Sequence, residues 1–308
     1  MTFVRRLTLG FVIALSLATR PAPQRPPLEL LDIAIEGVDG RPVQGLTQSD
    51  FELEIDGTLR PIESFAAGRE RPLSLVLLFD ITSSLDTVVK RSVVRSGVEK
   101  SLVDRLAPGD QVRVGSFGRQ ITIGQPIAGN PRALLAAVRA ALDPRGEDTY
   151  GPSPIWDAID AAVAALSQTS GRRAVLVVTD GRATGNREGP EDVGNRAVAA
   201  GVAVSVVGED FEMTLRQDAN TGVRVRPGAA LEWVAGTSGG FYLGDKSSPS
   251  APGPVLERLL ADLHERYTIG FPPPVRDGRK HTLEVRVKRP GLTLRARRAF
   301  VAPVEDSR

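Results

Sequence analysis

Leu73-Ser74-Leu75-Val76-Leu77-Leu78-Phe79-Asp80-Ile81-Thr82-Ser83-Ser84-Leu85 is the stretch whose reading decides the fold. It follows Arg71-Pro72 and opens as an unbroken, short apolar run, the pattern of a strand buried on both faces. Its carboxyl end then delivers one carboxylate and three hydroxyls, on Asp80, Thr82, Ser83 and Ser84. Open α/β sheets bind ligands where their strands end. A group of oxygens with no Cys and no nearby His suits a hard divalent cation such as Mg²⁺. The same residues also read as a plain strand followed by a helix start, with Ser84 or Asp86 as its cap.

Working outward, the pattern repeats. Ala174 to Thr179 is a second fully apolar strand and ends in Asp180-Gly181; Val202 to Val207 is a third. Shorter strands are expected at Val112 to Phe117 and Ile121 to Ile123, and an edge strand at Gly240 to Leu243. Helices alternate with them. Val94, Val98, Leu102 and Leu106 stripe a helix from about Thr87 to Leu106. Asn130 caps a helix over Pro131 to Leu142. Ile155, Ile159, Val163 and Leu166 stripe one over Pro154 to Gln168. Further helices are expected at Glu191 to Ala200, Ala229 to Ala235 and Val255 to Arg266. Glu209 to Gly228 reads as a long polar insertion with no clear element. Strands alternating with helices predict a doubly wound, mostly parallel sheet.

Both ends of the chain are β. Leu31 to Ile35 and Phe51 to Ile55 alternate, the second running into the hairpin signal Asp56-Gly57, and Pro61 to Phe65 is a third candidate. The tail offers Tyr267 to Phe271, His281 to Val287 and Leu292 to Val301. Neither set has enough strands to close a sandwich alone. We therefore expect them to pair, so that the α/β unit is inserted in a small β-sandwich; the alternative is that each end extends the central sheet or packs separately. The expected division is 1–18 leader, 19–27 Pro-rich spacer, 28–70 first part of the sandwich, 71–266 α/β domain, and 267–303 second part of the sandwich.

Composition removes whole classes of function. The chain of 308 residues has no Cys and two His, so disulfides, thiolate metal sites and Cys nucleophiles are excluded, and a His-rich zinc site is disfavoured. Arg5-Arg6 followed by the apolar run Leu7 to Ala18, with small residues at Ser16 and Ala18, reads as a secretory signal, cleaved or kept as an anchor. Without Arg5 and Arg6 the basic and acidic residues are equal in number. That balance speaks against a nucleic-acid partner. The leader predicts a secreted or periplasmic protein, with no stable membrane span once it is removed.

Three separated places thus supply oxygens at strand ends: Asp80/Thr82/Ser84, the loop from Thr149 to Ser153, and Asp180. This set resembles the metal-ion-dependent adhesion site of von Willebrand factor type A domains, a D-x-S-x-S motif after the first strand, a distant Thr before a helix, and an Asp in a T-D-G turn. Asp80, Thr82 and Ser84 match the first motif, with Thr82 keeping the hydroxyl. Ser153 in Ser153-Pro154-Ile155-Trp156-Asp157-Ala158 stands where the family has Thr, with Thr149 as the other candidate. Asp180 in Val178-Thr179-Asp180-Gly181 matches the last. The flanks, Val43 to Phe51, Glu54 to Gly57, Tyr267 to Phe271 and Lys288 to Leu292, resemble secreted bacterial "VWFA-related" proteins of acidobacterial type.

The resemblance implies a divalent ion, Mg²⁺ or else Mn²⁺ or Ca²⁺, held by Asp80, Thr82, Ser84, Ser153 and Asp180. One coordination position would stay open for an acidic side chain of a protein partner. It also implies a non-enzymatic adhesion module, with movement of the Val255 to Arg266 helix coupling the metal face to the sandwich. Two other readings stay open. One is a scaffold with a degenerate site. The other is a metal-assisted hydrolase, which would need a base near the ion. His264 and His281 lie far in sequence from all three loops. Arg182 and Arg187 read either as attractors for an acidic partner or as a solvated loop. Trp156, Trp233 and Tyr242 read as core or helix-packing residues.

Overall fold

The computed structural model describes residues 27–83, 95–99, 106–143, 150–209, 213–216, 222–226, 228–245 and 252–304. The expected leader, Ser84, Asp86 and Thr149 lie outside the described residues, as does most of the expected helix before Leu106.

The apolar run forms β5 (Leu73–Asp80), buried at every position. It pairs in parallel with β6 (Gln111–Phe117) on one side and β9 (Arg172–Val178) on the other. Outside β9 come β10 (Val202–Glu209) and the edge strand β13 (Tyr242–Asp245), both parallel. β7 (Ile121–Ile123) and β8 (Ile127–Ala128) fold back antiparallel onto β6. The period of two sends successive side chains to opposite faces, and both faces of β5 are covered. Leu73, Leu75, Leu77 and Phe79 enter the core on one face of the sheet, and Val76 and Leu78 the core on the other.

Helices cover both faces. On the first lie α1, described over residues 95–99 and anchored by Val98, then α2 (Pro131–Ala141) and α6 (Pro252–His264). On the second lie α3 (Ile155–Leu166), α4 (Pro190–Ala199) and α5 (Gly228–Ser238). The sequence caps and stripes act as expected. Asn130 accepts the Ala133 N–H at the start of α2. Ile155, Ile159, Val163 and Leu166 are all buried in α3. Each such Leu or Ile contributes about 1.5–3 kcal/mol relative to exposure. Trp156 is core, while Trp233 packs its ring on Gly194 of α4, where a Cβ would sit 2.8 Å from the ring.

The two ends of the chain meet. β1 (Glu29–Glu36) pairs antiparallel with β14 (Tyr267–Phe271), which also pairs with β4 (Ser64–Ala66). β2 (Phe51–Ile55) pairs with β15 (Lys280–Val287) and with β3 (Thr58–Arg60). The turn between β2 and β3 has φ 49° at Asp56 and 74° at Gly57, the left-handed pair an Asp-Gly hairpin requires. Leu31, Ile33, Phe51, Leu53, Tyr267, Phe271 and Phe300 share one core between the two sheets.

Three expectations need correction. Leu292 to Val301 is not one strand. It divides into β16 (Thr293–Arg295), which pairs with β1, and β17 (Ala299–Val301), which pairs with β15 in the other sheet. The polar insertion after β10 contains a hairpin, β11 (Met213–Arg216) against β12 (Gly222–Val225). Leu106, expected as the last residue of the first helix, lies outside regular structure.

Candidate metal centre

Asp80 ends β5 and Thr179 follows β9, its parallel neighbour, so the two side chains meet at the carboxyl edge of the sheet. Asp80 is 3% exposed. Its Oδ2 accepts from Thr179 Oγ1 at 2.7 Å and Ser153 Oγ at 2.9 Å. Its Oδ1 accepts from Thr82 Oγ1 at 2.7 Å and the Thr82 N–H at 3.0 Å. All four donors are neutral, and Asp80 forms no ion pair among the described residues. Burial pushes its carboxyl above the ordinary value, and the hydrogen bonds from Thr82, Thr179 and Ser153 offset that only in part.

Asp180, also buried, accepts from the Arg182 N–H at 3.0 Å on Oδ1, with Arg182 Nε 3.6 Å from Oδ2. The rest of this loop is fastened to the start of α3. Ser153 N–H donates to Thr184 Oγ1 and its carbonyl accepts the Thr184 N–H, both at 2.8 Å. Asn186 Oδ1 accepts the Trp156 N–H at 2.7 Å, satisfying one of the helix's free amides. Asp157 accepts from the backbone of Arg187 and Glu188. Gly185, at φ 68°, lets the loop close on Pro152, where a Cβ would come within 2.6 Å. Ser153 is thereby held against both Asp80 and the Asp180 loop.

Of the five expected ligands, the structure brings Asp80, Thr82 and Ser153 into direct contact and places Asp180 at the same strand edge; Ser84 lies outside the described residues. Thr179 is an addition, read from the sequence only as the last residue of an apolar strand. Its signal was the hydroxyl directly before Asp180, in register with Asp80 across the sheet. Among the described residues no three His, Asp or Glu side chains cluster as a metal site. Two carboxylates and several hydroxyls are therefore what the site can offer a cation, a donor set suited to a hard ion that keeps water ligands.

Neither histidine is here. His264 Nε2 lies 2.9 Å from Asp110 Oδ2 at the opposite end of the sheet, and His281 sits on the sandwich between Asp56 and Asp277. Among the described residues no helix is long and apolar enough to cross a membrane.

Several solved structures are similar to this one. Proximal thread matrix protein 1 of the mussel byssus is 16% identical over 68% of this chain and 49% of that chain, with a TM-score of 0.51. A von Willebrand factor type A protein from Catenulispora acidiphila is 13% identical over 95% of this chain and 77% of that one, at 0.49. BatB from Bacteroides thetaiotaomicron is 19% identical over 62% of this chain and 98% of that one, at 0.45. No curated protein matches the sequence. Residues 74–223 match the model of the von Willebrand factor type A domain.

Proposed function

We propose that this protein is a metal-dependent protein-binding module that works outside the cytoplasm. Asp80, Thr82, Ser84, Ser153 and Asp180 would hold a divalent cation, Mg²⁺ or a similar hard ion. The observation that carries the reading is the state of Asp80: a buried carboxylate, raised by burial, with hydroxyl and amide donors but no cationic partner among the described residues. Burying an unpaired charge is costly. A cation would offset that cost, and the three hydroxyls that now donate to Asp80 can turn a lone pair outward instead. The residues present therefore fit such an ion.

When bound, the ion supplies positive charge and an exchangeable coordination position that a partner's Glu or Asp can take. Ser153, Thr184 and Asn186 fix the loops so that this position does not have to be assembled on binding. Arg182, half-exposed beside Asp180, adds positive potential at the rim. The two histidines are engaged elsewhere, so we read the site as binding rather than as acid–base chemistry. The leader-like residues 1–18 support placement beyond the cytoplasmic membrane.

Calorimetric titration of Mn²⁺ and Mg²⁺ into the protein and into Asp80→Ala tests this. Saturable binding to the native chain, lost in the variant, is expected. Equal heats from both proteins would overturn the assignment.

A further inference from the structure

The sandwich has an open strand edge that nothing in the metal-site reading uses. On the side of β15 that faces β17, the ladder ends where the Leu283 N–H donates to the Arg298 carbonyl at 2.8 Å. Beyond that point the returning chain has left for the other sheet, where Thr293–Arg295 pairs with β1. Hydrogen-bonding direction alternates along a strand. The Asp56 and Lys288 amides bond across the β2 side through Thr282 and Asp50, so even-numbered β15 residues face β2 and odd-numbered ones face outward. The N–H and C=O groups of Val285 and Val287 therefore point to an edge with no ladder partner among the described residues.

A crevice of about 710 Å³ lies against that edge, lined by Val285, by Leu294, Arg297 and Arg298, and by Gly236 and Gly240 of the α/β unit. Volumes of roughly 300–1,000 Å³ are usual for sites that enclose a short ligand. The walls rule on the occupant. Glu54 and Glu284 are both engaged by Arg286, and Arg297 by Glu29. Arg298 is exposed and has no ion pair among the described residues, so it is the wall cation left to meet a carboxylate of the occupant. Residues of the α/β unit and of the returning chain line the crevice together with β15, so a single extended strand, rather than the broad edge of a second folded sandwich, is the occupant it fits.

We propose that the β15 edge at Val285 and Val287 accepts an extended segment of a partner protein as an added strand, with apolar residues alternating with acidic ones and a carboxylate placed on Arg298. Strand addition draws affinity from backbone hydrogen bonds and selectivity from alternate side chains. This site is separate from the metal centre and does not depend on it.

The test is amide hydrogen exchange on the full chain with two probe peptides, Thr-Val-Asp-Val-Asp-Val-Thr and its counterpart with Lys for Asp. In the free protein the Val285 and Val287 amides should exchange faster than those of Leu53 and Ile55. The Asp peptide should slow them, and bind about tenfold more tightly than the Lys peptide. Gly236→Leu should block binding while leaving the fold intact, because a Cβ at Gly236 meets nothing within 4 Å. Arg298→Glu, on an exposed side chain, should reverse the peptide preference. The proposal is overturned if the two amides are already protected in the free protein, if their protection rises with protein concentration alone (a second copy in the edge), or if Gly236→Leu binds like the native chain.

Discussion

Asp80 and Asp262 are the same residue with the same exposure, 3%, at two ends of the molecule, and they are treated in opposite ways. At the junction between the α/β unit and the sandwich, Asp262 on α6 receives Arg266 at 2.6 Å on one oxygen and Arg295 at 2.9 Å on the other. Arg266 also donates to the Gly239 carbonyl, and Arg295 reaches Glu36 of β1. Asp110 nearby follows the same rule. Burial alone would raise its carboxyl, but His264 and the amides of Leu73 and Ala107 outweigh it and hold it below the ordinary value. At the ligand edge Asp80 has only neutral donors. Where a buried acid serves structure, the chain supplies its counter-charge. Where it does not, the missing charge marks what the site is built to receive.

One exchange applied at both places sharpens this contrast most. Asp262→Asn leaves Arg266 buried without its full counter-charge and should cost about 3–5 kcal/mol in denaturant unfolding, with or without metal. Asp80→Asn should change metal-free stability by less than about 1 kcal/mol, since it removes an uncompensated charge. It should instead abolish the gain of about 2.7 kcal/mol that the native protein shows at a metal concentration a hundredfold above Kd. Equal losses at the two positions would break the comparison. A smaller effect is expected from Thr179→Val, which removes one hydrogen bond to a charged oxygen. Its expected cost is about 1.5 kcal/mol by urea midpoint; no loss would place Thr179 outside the site.

The smallest effect comes from the exposed counterpart. His281 lies between two carboxylates, Nδ1 2.7 Å from Asp56 and Nε2 3.1 Å from Asp277, so both nitrogens donate. The Asp56 bond, then the Asp277 bond, raises its pKa above 6.5, while the His281 bond and the Thr282 N–H lower Asp56 to about 2. The raised imidazole gives stability fully present below its unfolded value and lost as pH rises through the folded one. The lowered Asp56 gives stability present above 3.8 and lost as pH falls toward 2. The difference between native protein and His281→Gln should therefore be largest near pH 5 and shrink by pH 9. A gap that does not vary over that range would show that His281 is not charged in the fold.

Much of the architecture was legible because its signals are local. The run from Leu73 to Phe79 reads as doubly buried since both faces need apolar side chains, and Asp56-Gly57 reads as a turn since few other pairs accept its backbone. The division of Leu292 to Val301 was not legible. Its alternation breaks only at Arg297-Arg298, a weak signal, and the two halves pair with different strands, β1 and β15. The Met213 to Val225 hairpin was missed because short strands rich in Thr, Arg and Gly carry little apolar period. At the site, the oxygen-bearing residues were visible as types, but Thr179 looked like strand. The clasp of Thr184 and Asn186 on α3 joins residues about thirty positions apart, with no pattern of its own.

The most direct measurement is a crystal structure of the protein grown with Mn²⁺, with data collected at the manganese edge. The account predicts one anomalous peak at the carboxyl edge of the central sheet, about 2.0–2.3 Å from oxygens of Asp80, Thr82, Ser84 or Ser153, with the Ser153 and Thr82 hydroxyls turned from Asp80 toward the ion. An electron-density map in which those hydroxyls still donate to Asp80 and no peak lies within reach, at millimolar Mn²⁺, would contradict it.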